Sequence, residues 1–257
     1  MRIIRAIFIA LSTYSAIPMP QFEWKEESMR YSICFLPLIG AIIGAVLWAW
    51  GSFCDLYNIG NVLFASVATI IPLLITGGIH MDGFCDTIDA LSSRQSRERM
   101  LEILKDAHIG AFALIYCVAY ILGVFGLFSE IGIGSAFHVI CVCFILSRAL
   151  AAISAVTFKN ARKTGFLVTF TENASKNIVI ISMTLLAVLT ILFMLKISFF
   201  VGIVSVIFAL LALLYYYFMT NNKLGGVTGD TTGFLIQISE LALLLGAFLG
   251  AILGNSL

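Results

Sequence analysis

Charge is what this sequence has least of. Asp, Glu, Lys and Arg together make up 11% of 257 residues, and mean hydropathy is +1.06. A soluble domain needs a far more charged surface, so a water-soluble globule is excluded and an integral membrane protein is indicated. Strand-like alternation is missing too. The apolar runs are long and continuous, which excludes a β-barrel and leaves helices, whose backbone hydrogen bonds close within each segment. The six cysteines include no CxxC pair, so they read as reduced apolar filler. No internal repeat and no low-complexity segment stands out. No small-x-small cleavage site follows the opening MRIIRAIFIALSTYSAIPMP, whose apolar part is too short to span. It reads as a helix lying at the membrane interface. A net charge of +1 gives no reason to expect a nucleic-acid partner.

What is present is a series of apolar runs of bilayer length, about 20 residues each. They are 32–54, 61–79, 109–128, 133–157, 177–195, 197–220 and 231–253. The expected fold is therefore all-α: one polytopic membrane helix bundle over residues 1–257, with about seven transmembrane helices and the N-terminal interfacial helix. Seven spans put thirteen of the fifteen Lys and Arg residues on one side; Lys196 lies opposite and Arg148 within a span. The positive-inside rule makes the basic side cytoplasmic. The longer polar segments, 18–31, 80–108, 158–176 and 221–230, share that side, so the chemistry is expected there. The stretch SSRQSRERMLEILKDAHIG predicts an amphipathic helix with Ser96 as N-cap and Met100, Ile103, Leu104 and Ala107 on one face.

The acid is concentrated in TGGIHMDGFCDTIDAL, residues 76–91. Asp82, Asp86 and Asp89 fall at i, i+4 and i+7, along one face of a helix. Like charges at that spacing repel, and a membrane boundary opposes their ionisation. No Lys or Arg lies within the stretch, so a divalent cation is the expected neutraliser. Mg²⁺ suits carboxylate oxygens and takes substrate phosphates as further ligands. Gly77 and Gly78 just before the acids allow close approach of backbone or ligand. His80 is either a structural or a catalytic histidine. A second glycine-rich stretch, LGGVTGDTTGF, contains Gly225, Gly226, Thr228, Gly229 and Asp230. It is expected to turn with free N–H groups, to aim a helix N-terminus at a phosphate, and to add Asp230 as a metal oxygen or helix cap. Arg148 and Glu240 are charges inside spans; they form an ion pair, or Arg148 holds a phosphate in a cavity. Arg162, with Lys159 and Lys163, either sets topology or receives an anion.

Together these stretches resemble the cobalamin synthase family, the adenosylcobinamide-GDP ribazoletransferases. TGGIHMDGFCDTIDAL resembles its acidic signature. LSTYSAIPMP, RERMLEILKDAHIGAFAL, SRAL with ARKTGF, and GGVTGDTTGFLIQISEL resemble four further segments, in order and over nearly the whole chain. Tyr14-Ser15 stands where a basic residue is more usual, and Ala90 where glycine is expected. The resemblance implies that adenosylcobinamide-GDP is joined to α-ribazole or its 5′-phosphate with release of GMP. It implies Mg²⁺ as cofactor and the bacterial or archaeal cytoplasmic membrane as setting. Metal would fall to Asp82, Asp86 and Asp89. Asp89 is the expected base, His80 the runner-up, and Lys105, Asp106, Arg148 and Arg162 would orient phosphates or complete the metal shell. A homo-oligomer, or association with other corrinoid enzymes, stays open. The rival readings are a membrane phosphotransferase for a lipid alcohol, a cation-coupled transporter, and a non-catalytic membrane subunit.

Overall fold

The computed structural model describes residues 2–20 and 29–255, and all helix and contact statements concern these. Part of the 18–31 segment, residues 21–28 with Lys25, lies outside them. The chain runs α1 (Arg2–Tyr14), a 3-10 turn (Ser32–Phe35), α2 (Leu36–Leu56), α3 (Asn61–Thr76), α4 (Ile79–Ser92), α5 (Arg97–Ile103) and α6 (Ala111–Ile131). It continues as α7 (Ser135–Thr157), α8 (Phe166–Asn173), α9 (Lys176–Ile197), α10 (Phe199–Met219), a π-turn (Thr220–Leu224) and α11 (Gly229–Asn255). Six of these helices, the first together with its 3-10 turn and α10 with its π-turn, are long and apolar enough to cross a membrane.

The bundle is built round α7. Its side chains are buried along most of its length, because α2, α9 and α11 pack on it from several sides. The outer helices show the reverse. Leu114, Ile115, Val118 and Leu122 of α6, and Ile181, Leu185 and Leu192 of α9, are exposed. A soluble protein could not keep such faces in water, so they mark the lipid-facing surface.

The expected span 61–79 is where the structure departs from the pattern. Its helix α3 has 16 residues, about 24 Å of rise, which is shorter than a hydrocarbon core of about 30 Å. Gly77 (φ +63°) and Gly78 (φ +79°) then take left-handed conformations, and their N–H groups close on the carbonyls of Leu74 and Leu73 at 3.4 and 3.0 Å. Two consecutive left-handed residues suit glycine almost alone. They swing α4 off at 93° to α3. The helix with the acids therefore departs from the direction of α3 and packs against α11. This pair counts as a seventh crossing only if taken as one broken span.

Two short helices pack against the bundle. In α1, Ala6, Ile9 and Ala10 are buried against the bundle while Ile3 and Ile4 stay exposed. In α5, Ser96 is the N-cap, its Oγ accepting from Arg99 N–H at 3.4 Å, and Met100 and Leu104 are buried as the periodicity implies. The helix stops at Ile103, however, and Ala107 lies exposed in the following loop.

Arg148 of α7 is fully buried and donates to the Glu240 carboxylate of α11. Its Nη1 also meets Ser147 Oγ at 3.0 Å and the Phe144 carbonyl at 3.4 Å. Of the two readings open in the sequence, the geometry is that of the ion pair. Removing one member leaves the other charge buried and alone, which costs about 3–5 kcal/mol. Arg148→Leu is expected to lower the melting temperature in detergent sharply, and Arg148→Leu with Glu240→Leu to recover most of the loss. Equal losses in the single and double variants would rule out the pair as a unit.

Candidate active site

The acids lie where α4 crosses α11. The crossing is close because Gly83 of α4 faces the backbone of Asp230: a Cβ on Gly83 would lie 2.5 Å from the Asp230 carbonyl oxygen. On the opposite side Gly233 rests on the His80 backbone, with 3.2 Å left for a Cβ. This contact brings Asp230, distant in sequence, to the carboxylates of α4. Asp82 is exposed and Asp86 half-buried. Burial first, then the charges of Asp82, Asp230 and Asp89, push the Asp86 carboxyl up to about 7. The cations nearby are few. Arg162 Nη1 stands 3.6 Å from Asp230 Oδ2, while its Nη2 donates to the Leu101 carbonyl at 2.9 Å.

Asp89 has a different task from the one its spacing implies. Its two carboxylate oxygens accept the N–H groups of Gly110 and Ala113, at 2.5 and 2.9 Å. It therefore caps α6, satisfying two of that helix's unpaired donors and meeting the positive end of its dipole. With both oxygens engaged, Asp89 is poorly placed as a base.

Two cavities meet at Asp82. One, of about 940 Å³, is open and lined by Gly77, Gly78, Asp82, Asp86, Lys105, Asp106 and His108. Asp106 accepts from the His108 N–H at 3.1 Å and pairs with its ring at 2.7 Å, and this contact holds its carboxyl below the usual range. The other, of about 470 Å³, lies between α1, α4, α7, α8 and α11. Asp82, Asp230, Gly229 and His80 line it. Arg148 lines neither of these two cavities.

Of the free N–H groups expected in LGGVTGDTTGF, those of Gly225 and Gly226 are taken. The amides of Gly225 and Gly226 both point to the Thr220 carbonyl, and Val227 N–H donates to Lys159 at 2.8 Å. Thr228 and Thr231 bond reciprocally, each hydroxyl accepting the other's backbone N–H, and so cap α11. Neighbouring chain captures these donors because they would otherwise be buried unpaired. The loop contributes Gly229 and Asp230 to the wall of the second cavity.

The donor set fits a hard divalent cation: carboxylate oxygens gathered with little cationic compensation, one of them held partly protonated. Among the described residues no three His, Cys, Asp or Glu side chains converge as a ready-made metal site. Such an ion would take most of its ligands from water and substrate phosphates, as Mg²⁺ commonly does.

Fold and site together describe a polytopic membrane protein with a two-cavity acidic centre at one end, the make-up of a membrane phosphotransferase. The chain matches the family model described as CobS, cobalamin-5-phosphate synthase, over residues 6–248, and it belongs to that family. Proteins named adenosylcobinamide-GDP ribazoletransferase are similar along almost their whole length. That of Lachnoclostridium phytofermentans is 45% identical, covering 94% of this chain and 92% of its own. That of Desulfitobacterium hafniense is 35% identical over 95% and 96%, and that of Clostridium perfringens 32% over 94% and 97%. No solved structure matches the chain.

The raised Asp86 carboxyl has a measurable consequence. A carboxyl whose folded pKa exceeds its unfolded value favours the fold at low pH and loses that contribution as pH rises, here between 3.8 and about 7. In chelator, Asp86→Asn is therefore expected to melt higher than the parent at pH 8 and level with it near pH 4. A lower melting point at pH 8 would show that the ionised carboxylate is stabilised after all.

Proposed function

We propose that this chain is an adenosylcobinamide-GDP ribazoletransferase. A ribose hydroxyl of α-ribazole, or of its 5′-phosphate, attacks the phosphorus esterified to cobinamide. An O–P bond forms, the bond from that phosphorus to the bridging oxygen breaks, and GMP leaves with the bridging oxygen. The new phosphodiester closes the nucleotide loop of the cobalamin product. The observation behind this reading is the placing of Asp82 between two cavities in a chain of the cobalamin-5-phosphate synthase family.

Asp82 and Asp86 are the residues that would hold Mg²⁺. Bound there, the ion supplies neutralisation of charge on the bridging and leaving oxygens. Lys105, on the rim of the open cavity, is a flexible cation suited to the diphosphate. Asp230 faces the second cavity and takes the proton of the attacking hydroxyl, because Asp89 is engaged as a helix cap. Arg162 at 3.6 Å keeps Asp230 oriented. The excess of Lys and Arg on the side of the long polar segments supports a site on the cytoplasmic face, and the family supports a bacterial or archaeal inner membrane as its setting.

The test uses purified protein in nanodiscs with adenosylcobinamide-GDP, α-ribazole 5′-phosphate and Mg²⁺, following GMP and corrinoid product. Asp82→Asn is expected to reduce turnover about hundredfold or more, and chelation to abolish it. The Mg²⁺ concentration for half-maximal rate should fall from pH 6 to pH 8, as the proton on Asp86 ceases to compete, and this trend should flatten in Asp86→Asn. No product from well-folded protein would reject the assigned substrates. Full activity in chelator would reject the metal.

A further inference from the structure

The cavity of about 470 Å³ between α1 and α7 falls within the range of about 300–1,000 Å³ usual for small-molecule sites. Its polarity is uneven. The acids Asp82 and Asp230 belong to the α4–α11 crossing, whereas the α7 wall is the small apolar surface of Ala151, Ala152 and Ala155. Tyr14 and Phe166 add aromatic rings; they meet edge to face at 6.4 Å, and Tyr14 stacks on His80 at 6.4 Å. Two polar groups of this wall lack partners. His80 is 4% exposed and its Nε2 has no hydrogen bond; nor does the buried Oγ1 of Thr13. Enclosed polar atoms are normally paired. Both residues line the cavity, and an unpaired polar atom there gains from a ligand that supplies a partner.

Size and polarity discriminate among the pieces of the substrates. A corrin ring is too large for this space. Guanine presents a row of donors and acceptors, which an alanine wall leaves unmatched. The base of α-ribazole is a flat benzimidazole with an apolar body and a single ring nitrogen free to accept a hydrogen bond. We propose that this cavity is the acceptor subsite: the benzimidazole lies along the α7 alanines beside Tyr14 and Phe166, with His80 donating to its free ring nitrogen and Thr13 bonding a ribose hydroxyl. The ribose then extends toward Asp230. The donor diphosphate approaches Asp82 from the open cavity. This assignment rests on the transferase reading above and adds to it where the acceptor's base sits.

A photoreactive azidobenzimidazole riboside, irradiated with the wild-type protein in nanodiscs and mapped by peptide mass spectrometry, tests the placement without any substitution. Label is expected within residues 12–14 or 166–167, reduced by excess α-ribazole and not by adenosylcobinamide-GDP. Label at residues 104–109, on the wall of the open cavity, or no protectable label in a protein that turns over, overturns the subsite. In kinetics, His80→Phe and Thr13→Val are each expected to raise the KM for α-ribazole about tenfold with the KM for adenosylcobinamide-GDP unchanged. An equal rise in both, or in neither, counts against it. Wild-type protein that makes no product would instead overturn the transferase reading, which separates the two failures.

Discussion

The site depends on how closely two helices can approach. Carboxylates from α4 and α11 act together only because Gly83 and Gly233 bring no side chain to the crossing, so backbone rests on backbone. Any larger residue at Gly83 would meet the Asp230 carbonyl and drive the helices apart. Within a membrane, helices associate through packing rather than through expulsion of water, so small residues at a contact set its distance. Here that distance also sets how strongly Asp230 acts on Asp86 and whether two elements share one cavity wall.

The same end of the bundle shows how a largely apolar chain handles charge. Where charge is buried it is paired, as in Arg148 with Glu240 between α7 and α11. Asp89 is converted into a helix cap. At the cavity junction compensation is incomplete, and Asp86 is held partly protonated. Uncompensated charge of this kind is costly in the free protein and useful only when a cation or a phosphate-bearing substrate arrives. The right-angle turn at Gly77 and Gly78 makes the arrangement tolerable. It turns α4 away from the axis of α3 by 93°, and carboxylates kept in line with a straight span would be far more expensive to ionise.

Much of the fold was legible because the membrane imposes length and hydropathy on each span. Six predicted spans correspond to long helices within a few residues, and the Ser96 cap was readable from local chemistry. The break at 77–78 was half legible: the glycines stood out, but their left-handed conformation and the 93° turn did not. Of the site, the α4 acids were visible as a spacing. The role of Asp89 was not, since its partners Gly110 and Ala113 lie on another helix. Gly225 and Gly226 looked available for phosphate because nothing local shows that Thr220 accepts their N–H groups. Gly83, Gly233 and Thr13 gave no signal, for each matters only through a residue remote in sequence.

The sequence by itself determined the membrane class, the all-helical fold, the acidic segment and, by resemblance, the family. These follow from composition and short-range order, which a bilayer reads segment by segment. Tertiary structure decided which acids form the site, which became a cap, that Arg148 belongs to Glu240, and that Asp82 stands between two cavities. Those outcomes depend on contacts between helices far apart in the chain, and such contacts are set by side-chain shape at each crossing rather than by hydropathy.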